Sequence, residues 1–185
     1  MPTDFSDFSG GDLIPAKTIA VLQMRVRPGD GTDNVLRRTK NGDGEGLDAE
    51  LTVVEGPFMK RKLFWYILLS GESDGQRSMA ETNKSRLKQL IDSARNLDPS
   101  DRSPEARARR TLGWRDFDGL RFLAEIGIEQ SRDGFPDKNV VSRIVTRDQA
   151  AWRGPIEQVA TDYGSAPNGT KPSSAPPVMR PSWAS

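Results

Sequence analysis

The sequence predicts a mainly β domain, a partly open five-stranded barrel with one helical insert, in the order β-β-β-α-β-β. Three observations predict it. Four segments alternate apolar and polar residues with the period of two that a half-buried strand requires, and a fifth is apolar on both faces. One stretch between the third and fourth strand segments repeats its apolar residues at helical spacing. The final residues are rich in Pro, Ser, Gly and Ala, with too little apolar surface to offset the entropy of ordering.

The elements follow in chain order. Residues 1–12 hold Asp4, Asp7 and Asp12 with no basic residue, and read as an N-terminal arm whose Phe5 and Phe8 dock on the core. Ile14, Ala16, Thr18, Ala20, Leu22, Met24 and Val26 alternate with Lys17, Gln23, Arg25 and Arg27 as the first strand. Residues 28–46, rich in Gly, Asp and Asn, read as an extended loop. Leu47, Ala49, Leu51 and Val53 alternate with Asp48, Glu50 and Thr52 as the second strand. A turn through Glu55 to Lys60 leads into the third, Arg61 to Leu69.

The helical insert covers about residues 78–113. Ser78 and Glu81 have the spacing of a capping box, and Leu87, Leu90, Ile91, Ala94 and Leu97 form one apolar face. Ser103 with Pro104 starts a second, short helix, with Pro at the first helical position and Gly113 as terminator. Leu120, Phe122, Ala124, Ile126 and Ile128 alternate as the fourth strand. A turn at residues 132–137 precedes the fifth, Val140 to Val145. The folded body is therefore 13–153, followed by a Pro/Ser-rich tail, 154–185. From Gly164 that tail carries Pro167, Pro172, Pro176, Pro177 and Pro181 with only Lys171 and Arg180 charged, and is predicted to be disordered.

Three strands, a helix and two strands is the order of the OB-fold, a five-stranded Greek-key barrel used for oligonucleotide and oligosaccharide binding. A two-layer α+β sheet crossed by one helix would use the same elements. The fold does not fix the function, which rests on particular residues.

Composition narrows the chemistry. The 185 residues include 27 Lys and Arg against 26 Asp and Glu, with no His and no Cys. Thiol and imidazole nucleophiles, Cys/His zinc sites, disulfides and Ser-His-Asp triads are excluded. No Walker or dinucleotide-binding glycine pattern occurs. Asp48 and Glu50 share a strand face and could form a carboxylate pair or hold Mg²⁺, but no further acid stands out to complete a nuclease-like site. Asn41 to Gly46 begins like a calcium loop, yet its twelfth position is Thr52 and no helices flank it. The expectation is a protein that is not an enzyme and needs no metal or other cofactor. The longest apolar run, Leu63 to Leu69, is far too short for a membrane helix, and the acidic N-terminus is unlike a signal peptide. A soluble, intracellular protein is expected.

Charge is clustered rather than abundant. Between residues 13 and 40, six basic residues, among them Arg25, Arg27, Arg37, Arg38 and Lys40, stand against two acids. Lys60, Arg61 and Lys62 add a basic turn, directly followed by Phe64, Trp65 and Tyr66. Alternation places Lys62, Phe64, Tyr66 and Leu68 on one face and Leu63, Trp65, Ile67 and Leu69 on the other. The second set is the more apolar and should fill the core, which turns Phe64 and Tyr66 outward. Basic grooves with aromatic platforms are how single-stranded nucleic acid is held. Large rings in strands are more often core, so all three aromatics could equally be buried. Arg107, Arg109, Arg110 and Arg115 near Trp114 lie among Glu105, Asp116 and Asp118, and read as a solvated, salt-bridged surface.

The loop Lys40 to Gly44, the strand Leu47 to Val53, Glu55 to Phe58, the basic turn Lys60 to Lys62 and Leu63 to Trp65 together resemble a phage and prophage family of unknown function. Its members look like OB-fold single-stranded DNA-binding accessory proteins. The resemblance extends to Leu13 to Lys17 and to Asp137 to Ile144, covering about residues 13–147. It implies a role beside phage recombination or replication, in the cytoplasm of a bacterial host cell, and supplies no active-site residues. Unlike many single-strand binding proteins, this chain has no acid after Gly164, although Trp183 could anchor a partner.

The sequence therefore points to non-catalytic binding of single-stranded nucleic acid in support of recombination or replication. Arg25, Arg27, Arg37, Arg38, Lys40, Lys60 and Lys62 would neutralise phosphates, and Phe64 and Tyr66 would stack bases. The alternative is an OB-like adaptor that holds a recombinase or replication protein.

Overall fold

Strand β1 (Thr18–Val26) is the centre of the architecture, because it pairs along its two edges with strands from both halves of the chain. The structure is a computed structural model and describes residues 13–131 and 136–158. The expected arm 1–12, most of the turn at 132–137, and the tail from residue 159 with Trp183 lie outside the described residues. After β1 come β2 (Leu36–Arg38), β3 (Gly44–Val53), β4 (Lys62–Gly71), helix α1 (Asp74–Ala94), helix α2 (Pro104–Arg110), β5 (Arg121–Glu129) and β6 (Lys138–Ile144).

The fold is mixed α/β, a mainly antiparallel six-stranded sheet with a long helix after β4. Strand β3 carries β4 along one edge. It shares the other between β2, opposite Glu45–Leu47, and β1, opposite Ala49–Val53. The far edge of β1 pairs with β5, and β5 with β6. Leu22, Met24, Leu47, Ala49, Leu51, Leu63, Ile67, Phe122 and Ile126 are buried on the inner face, and Leu87, Leu90 and Ile91 of α1 pack against them. The apolar face read from helical spacing is the buried one, including Leu97 just past the helix.

The expected five-stranded barrel needs two corrections. Loop 28–46 contains an additional short strand, β2, and the sheet is not closed. Among the described residues no strand pairing joins β4 to β6. Helix α1 contacts backbone of both strands. Asn83 Nδ2 donates to the Leu68 carbonyl of β4 at 3.0 Å, and Arg86 Nη2 donates to the Val141 carbonyl of β6 at 2.6 Å. The Arg86 guanidinium also lies 4.6 Å from the centre of the Trp65 ring, and burial lowers its pKa.

Helix boundaries also moved. The capping box uses Ser73 and Gln76, not Ser78 and Glu81, so α1 begins one turn earlier than expected. The Ser73 hydroxyl accepts from the Gln76 N–H at 3.2 Å while the Gln76 side chain accepts from the Ser73 N–H at 3.0 Å, satisfying two donors that a helix start leaves over. Asn96, with φ 51°, ends α1 in the left-handed region, and the Leu97 N–H returns to the Asp92 carbonyl at 2.8 Å. Ser103 caps α2 as expected. That helix stops at Arg110, however, and Gly113 instead opens a 3-10 turn, Trp114–Phe117.

The first strand starts at Thr18 rather than Ile14, because Lys17 takes a positive φ of 67° and turns the chain. Ile14 is buried all the same. The Asn139 side chain serves it as a substitute strand neighbour, accepting from its N–H and donating to its carbonyl, both at 2.8 Å. Gln158 does the same for Arg121, at 2.9 and 2.8 Å. That contact draws residues 151–158 across the outer face of β1 and β5, where Trp152 and Ile156 pack on Val21, Leu123 and Val145.

A candidate nucleic-acid interface on the outer face of β1, β3 and β4

The remaining part of the outer face is open, and the cross-strand register builds it in rows. Arg25 of β1 lies opposite Glu50 of β3, which lies opposite Phe64 of β4. One row along, Asp48 lies opposite Tyr66, and the Arg27 N–H bonds the Asp48 carbonyl at 2.9 Å as the chain leaves β1. In the other direction, Gln23, Thr52 and Lys62 form the next row. Basic residues from β1 thus stand on one side of β3 and aromatics from β4 on the other.

Phe64 is 61% exposed and Tyr66 40%. Leu63, Ile67 and Leu69 are buried, and Trp65 is half-buried against the core. The expected division of β4 is the observed one from Lys62 to Ile67, but Leu68, expected outward with Phe64 and Tyr66, is buried, beside the register shift of β3 between Glu45 and Gly46. Tyr66 lies flat because of Gly46: a Cβ there would come within 2.8 Å of the phenol ring and 2.6 Å of the Ile67 carbonyl. The Tyr66 hydroxyl donates to the Arg37 carbonyl at 2.9 Å, so the ring spans β3 and pins β2. Burial raises the pKa of this phenol.

The cations are held by two acids in the middle of the face. Asp48, whose side chain is only 10% exposed, accepts from Arg37 Nη1 at 2.6 Å and lies 3.5 Å from Arg27 Nη1. The Arg27 guanidinium is 5.9 Å from the Phe64 ring centre. Lys62 Nζ is 3.0 Å from Glu50. Two arginines share one carboxylate, so the upper row keeps a positive balance. The arginine side chains remain about half exposed, at 47% for Arg27 and 53% for Arg37. A phosphate can reach the half-exposed guanidinium groups, but it must compete for them with the nearly buried Asp48 carboxylate, which needs at least one of them as its counter-charge.

The structure brings together Arg25, Arg27, Arg37, Lys62, Phe64 and Tyr66. It separates the rest. Arg38 alternates to the other side of β2, where its Nε lies 3.7 Å from Glu45 and its N–H bonds Asp30. Lys40 sits in the turn between β2 and β3, and Lys60, with φ 72°, in the turn between β3 and β4. These turns flank opposite ends of a ten-residue strand, about 30 Å apart along an extended chain.

The Asp48–Glu50 pair considered as a metal or acid–base site is committed to basic side chains. Asp43, in the stretch that opens like a calcium loop, accepts from Thr39 Oγ1 at 2.5 Å and from Gln76 Nε2 at 2.9 Å, which lowers its pKa and ties the β2–β3 turn to the start of α1. Among the described residues no three metal-ligating side chains gather, and no helix is long and apolar enough to cross a membrane. The arginines near Trp114 are only partly the solvated set expected. Arg110 is largely buried and pairs with Asp92, itself fully buried, at 2.6 Å. It also donates to the carbonyls of Asp98 and Asp101.

The sequence does not single out Gly46, and it leaves Asp48 without the role the structure gives it, a nearly buried acid between two arginines. The signals were an alternating acid among basic residues of neighbouring strands, and a glycine inside a strand two residues before the acid that pairs with Tyr66. Comparison with protein-family models gives no match, and no curated protein matches the chain.

Proposed function

We propose that this protein binds single-stranded nucleic acid without catalysis, through the outer face of β1, β3 and β4. The observation that carries the reading is the exposure of Phe64 and Tyr66 one row apart, facing Arg25, Arg27 and Arg37 across β3. Exposed rings give bases a stacking platform that tolerates any sequence, and guanidinium groups beside them track the phosphates. Arg27 lies near both Phe64 and Asp48, so it can pass from the carboxylate to a phosphate without leaving the ring. Arg25, Arg27, Arg37 and Lys62 form the central contact, with Lys40, Lys60 and Arg38 extending it outward. Strand order β4-β3-β1-β5-β6 with a helix between β4 and β6 supports an open, OB-like version of the fold. Together with the phage-family resemblance, it favours DNA and a part in recombination or replication.

Fluorescence anisotropy with labelled oligonucleotides over a series of salt concentrations tests the reading. The expected result is affinity for single strands that falls linearly in log–log form as salt rises, because phosphate contacts release counterions. Weak binding with no salt slope would reject it. The adaptor reading rests on Met59, exposed in the turn beside Lys60 and Lys62, which could seat an acidic partner protein. A partner retained from an infected lysate after nuclease treatment would favour it.

A further inference from the structure

A cleft opens beside Arg27, lined by residues other than those of β4. One wall is the segment from Val26 to Val35, which folds into a 3-10 turn at Thr32–Asn34 with Asp33 and Asn34 at positive φ. The other is the turn Trp114–Phe117 and Asp118. Buried Phe117 anchors this second wall, and Asp118 Oδ1 accepts from the Val26 N–H at 2.6 Å. Arg115 bridges the walls, with Nη2 donating to the Asp33 carbonyl at 3.1 Å. It divides the space into two hollows of about 340 and 360 Å³. Pro28 and Val35 supply apolar surface to the first, and Trp114, stacked on Phe117 at 6.2 Å, lines the second.

We infer that this cleft is a second nucleotide subsite, which receives the same single strand as it leaves the β4 aromatics, with Arg27 shared between the two subsites. The inference rests on the nucleic-acid reading of the β4 face and extends it to residues outside that face. The chemistry is matched on both sides. Arg27 and Arg115 line the first hollow and outnumber its one carboxylate, Asp118, which already accepts from the Val26 N–H, so a phosphate is suited there, while Val35, Pro28 and the Trp114 ring suit a sugar and a base. The single Arg115 bond to a backbone carbonyl is an exposed contact that a phosphate oxygen can replace with a charge-assisted one.

The test measures binding of labelled oligothymidylates of about 4 to 12 nucleotides, lengths that bracket the site size of one such domain. Wild-type protein, Arg115→Ala and Phe64→Ala are compared at several salt concentrations. Arg115 is exposed, so its replacement leaves the fold in place, which circular dichroism checks. The expected result is a wild-type affinity that grows with length and an Arg115→Ala affinity that stops growing. The difference at the longest oligonucleotide is roughly fivefold or more, and the salt slope is smaller by about one. Quenching of tryptophan emission by the long oligonucleotide should fall in Trp114→Phe. Wild-type binding that loses affinity in Phe64→Ala but is unchanged at every length in Arg115→Ala would overturn the subsite and leave the β4 face standing. No wild-type binding at any length would overturn both.

Discussion

Arg37 donates to the Asp48 carboxylate at 2.6 Å, and this bond settles the state of the face before any ligand arrives. Asp48 is nearly buried and also lies beside Arg27, so it gathers two cations from β1 and β2 over the middle of β3. It holds them in place and competes with phosphate for them. Asp48→Asn removes the competitor and keeps the shape. It should tighten single-strand binding several-fold and steepen the salt dependence, while costing no more than about 1 kcal/mol of stability. Anisotropy and urea denaturation read the two effects. Weaker binding would mean that the charge of Asp48 is needed to place the arginines.

Phe64 tests the stacking role. With 61% of its surface exposed it adds little to the core. Phe64→Ala should weaken single-strand binding by about 1–3 kcal/mol and leave the melting temperature close to that of the wild type. Phe64→Tyr should restore the affinity.

Asp92 tests the other end of the molecule. Its fully buried carboxylate joins Lys88 of α1 to Arg110 of α2. Asp92→Asn leaves a largely buried guanidinium without its counter-charge and should destabilise the domain by about 3–5 kcal/mol. Binding by the fraction that remains folded should be unchanged, since none of these residues touches the β4 face. Calorimetry and anisotropy on the same sample separate the effects.

Asp43 gives a pH dependence. Hydrogen bonds from Thr39 and Gln76 hold its pKa below the ordinary carboxylate value, so its folded-state pKa lies below its unfolded one. Its contribution is therefore fully present above the unfolded value and is lost as pH falls through the folded value. Urea denaturation followed from neutral pH down to about pH 2 should show a smaller acid loss in Asp43→Asn than in the wild type.

The sequence resolved what alternation and helical spacing resolve. The faces of β1, β3, β4 and β5, the apolar stripe of α1 and the Ser103–Pro104 start of α2 were all legible, because each is a local periodic pattern. The two faces of β4 could be told apart because Leu63, Ile67 and Leu69 outweigh Phe64 and Tyr66 in apolar character. The α1 start was misplaced at Ser78, because two Ser-x-x-acid/amide patterns five residues apart compete there, and the earlier, with Asp74 in its first turn, is the one that caps the helix. Closure of the sheet was not legible. The sheet stays open between β4 and β6, where Asn83 and Arg86 of α1 reach backbone carbonyls of the two strands, a relation between residues distant in sequence. Nor could the ion pairs of Asp48 be read without the register that sets it between Arg27, Arg37 and Tyr66.

The most direct test of the central claim is ultraviolet cross-linking of a single-stranded oligonucleotide to the protein, with the modified residues mapped by mass spectrometry. The account predicts cross-links on Phe64 or Tyr66, lost when unlabelled single strand is added in excess. Cross-links confined to other regions, with Phe64 and Tyr66 unmodified, would contradict it.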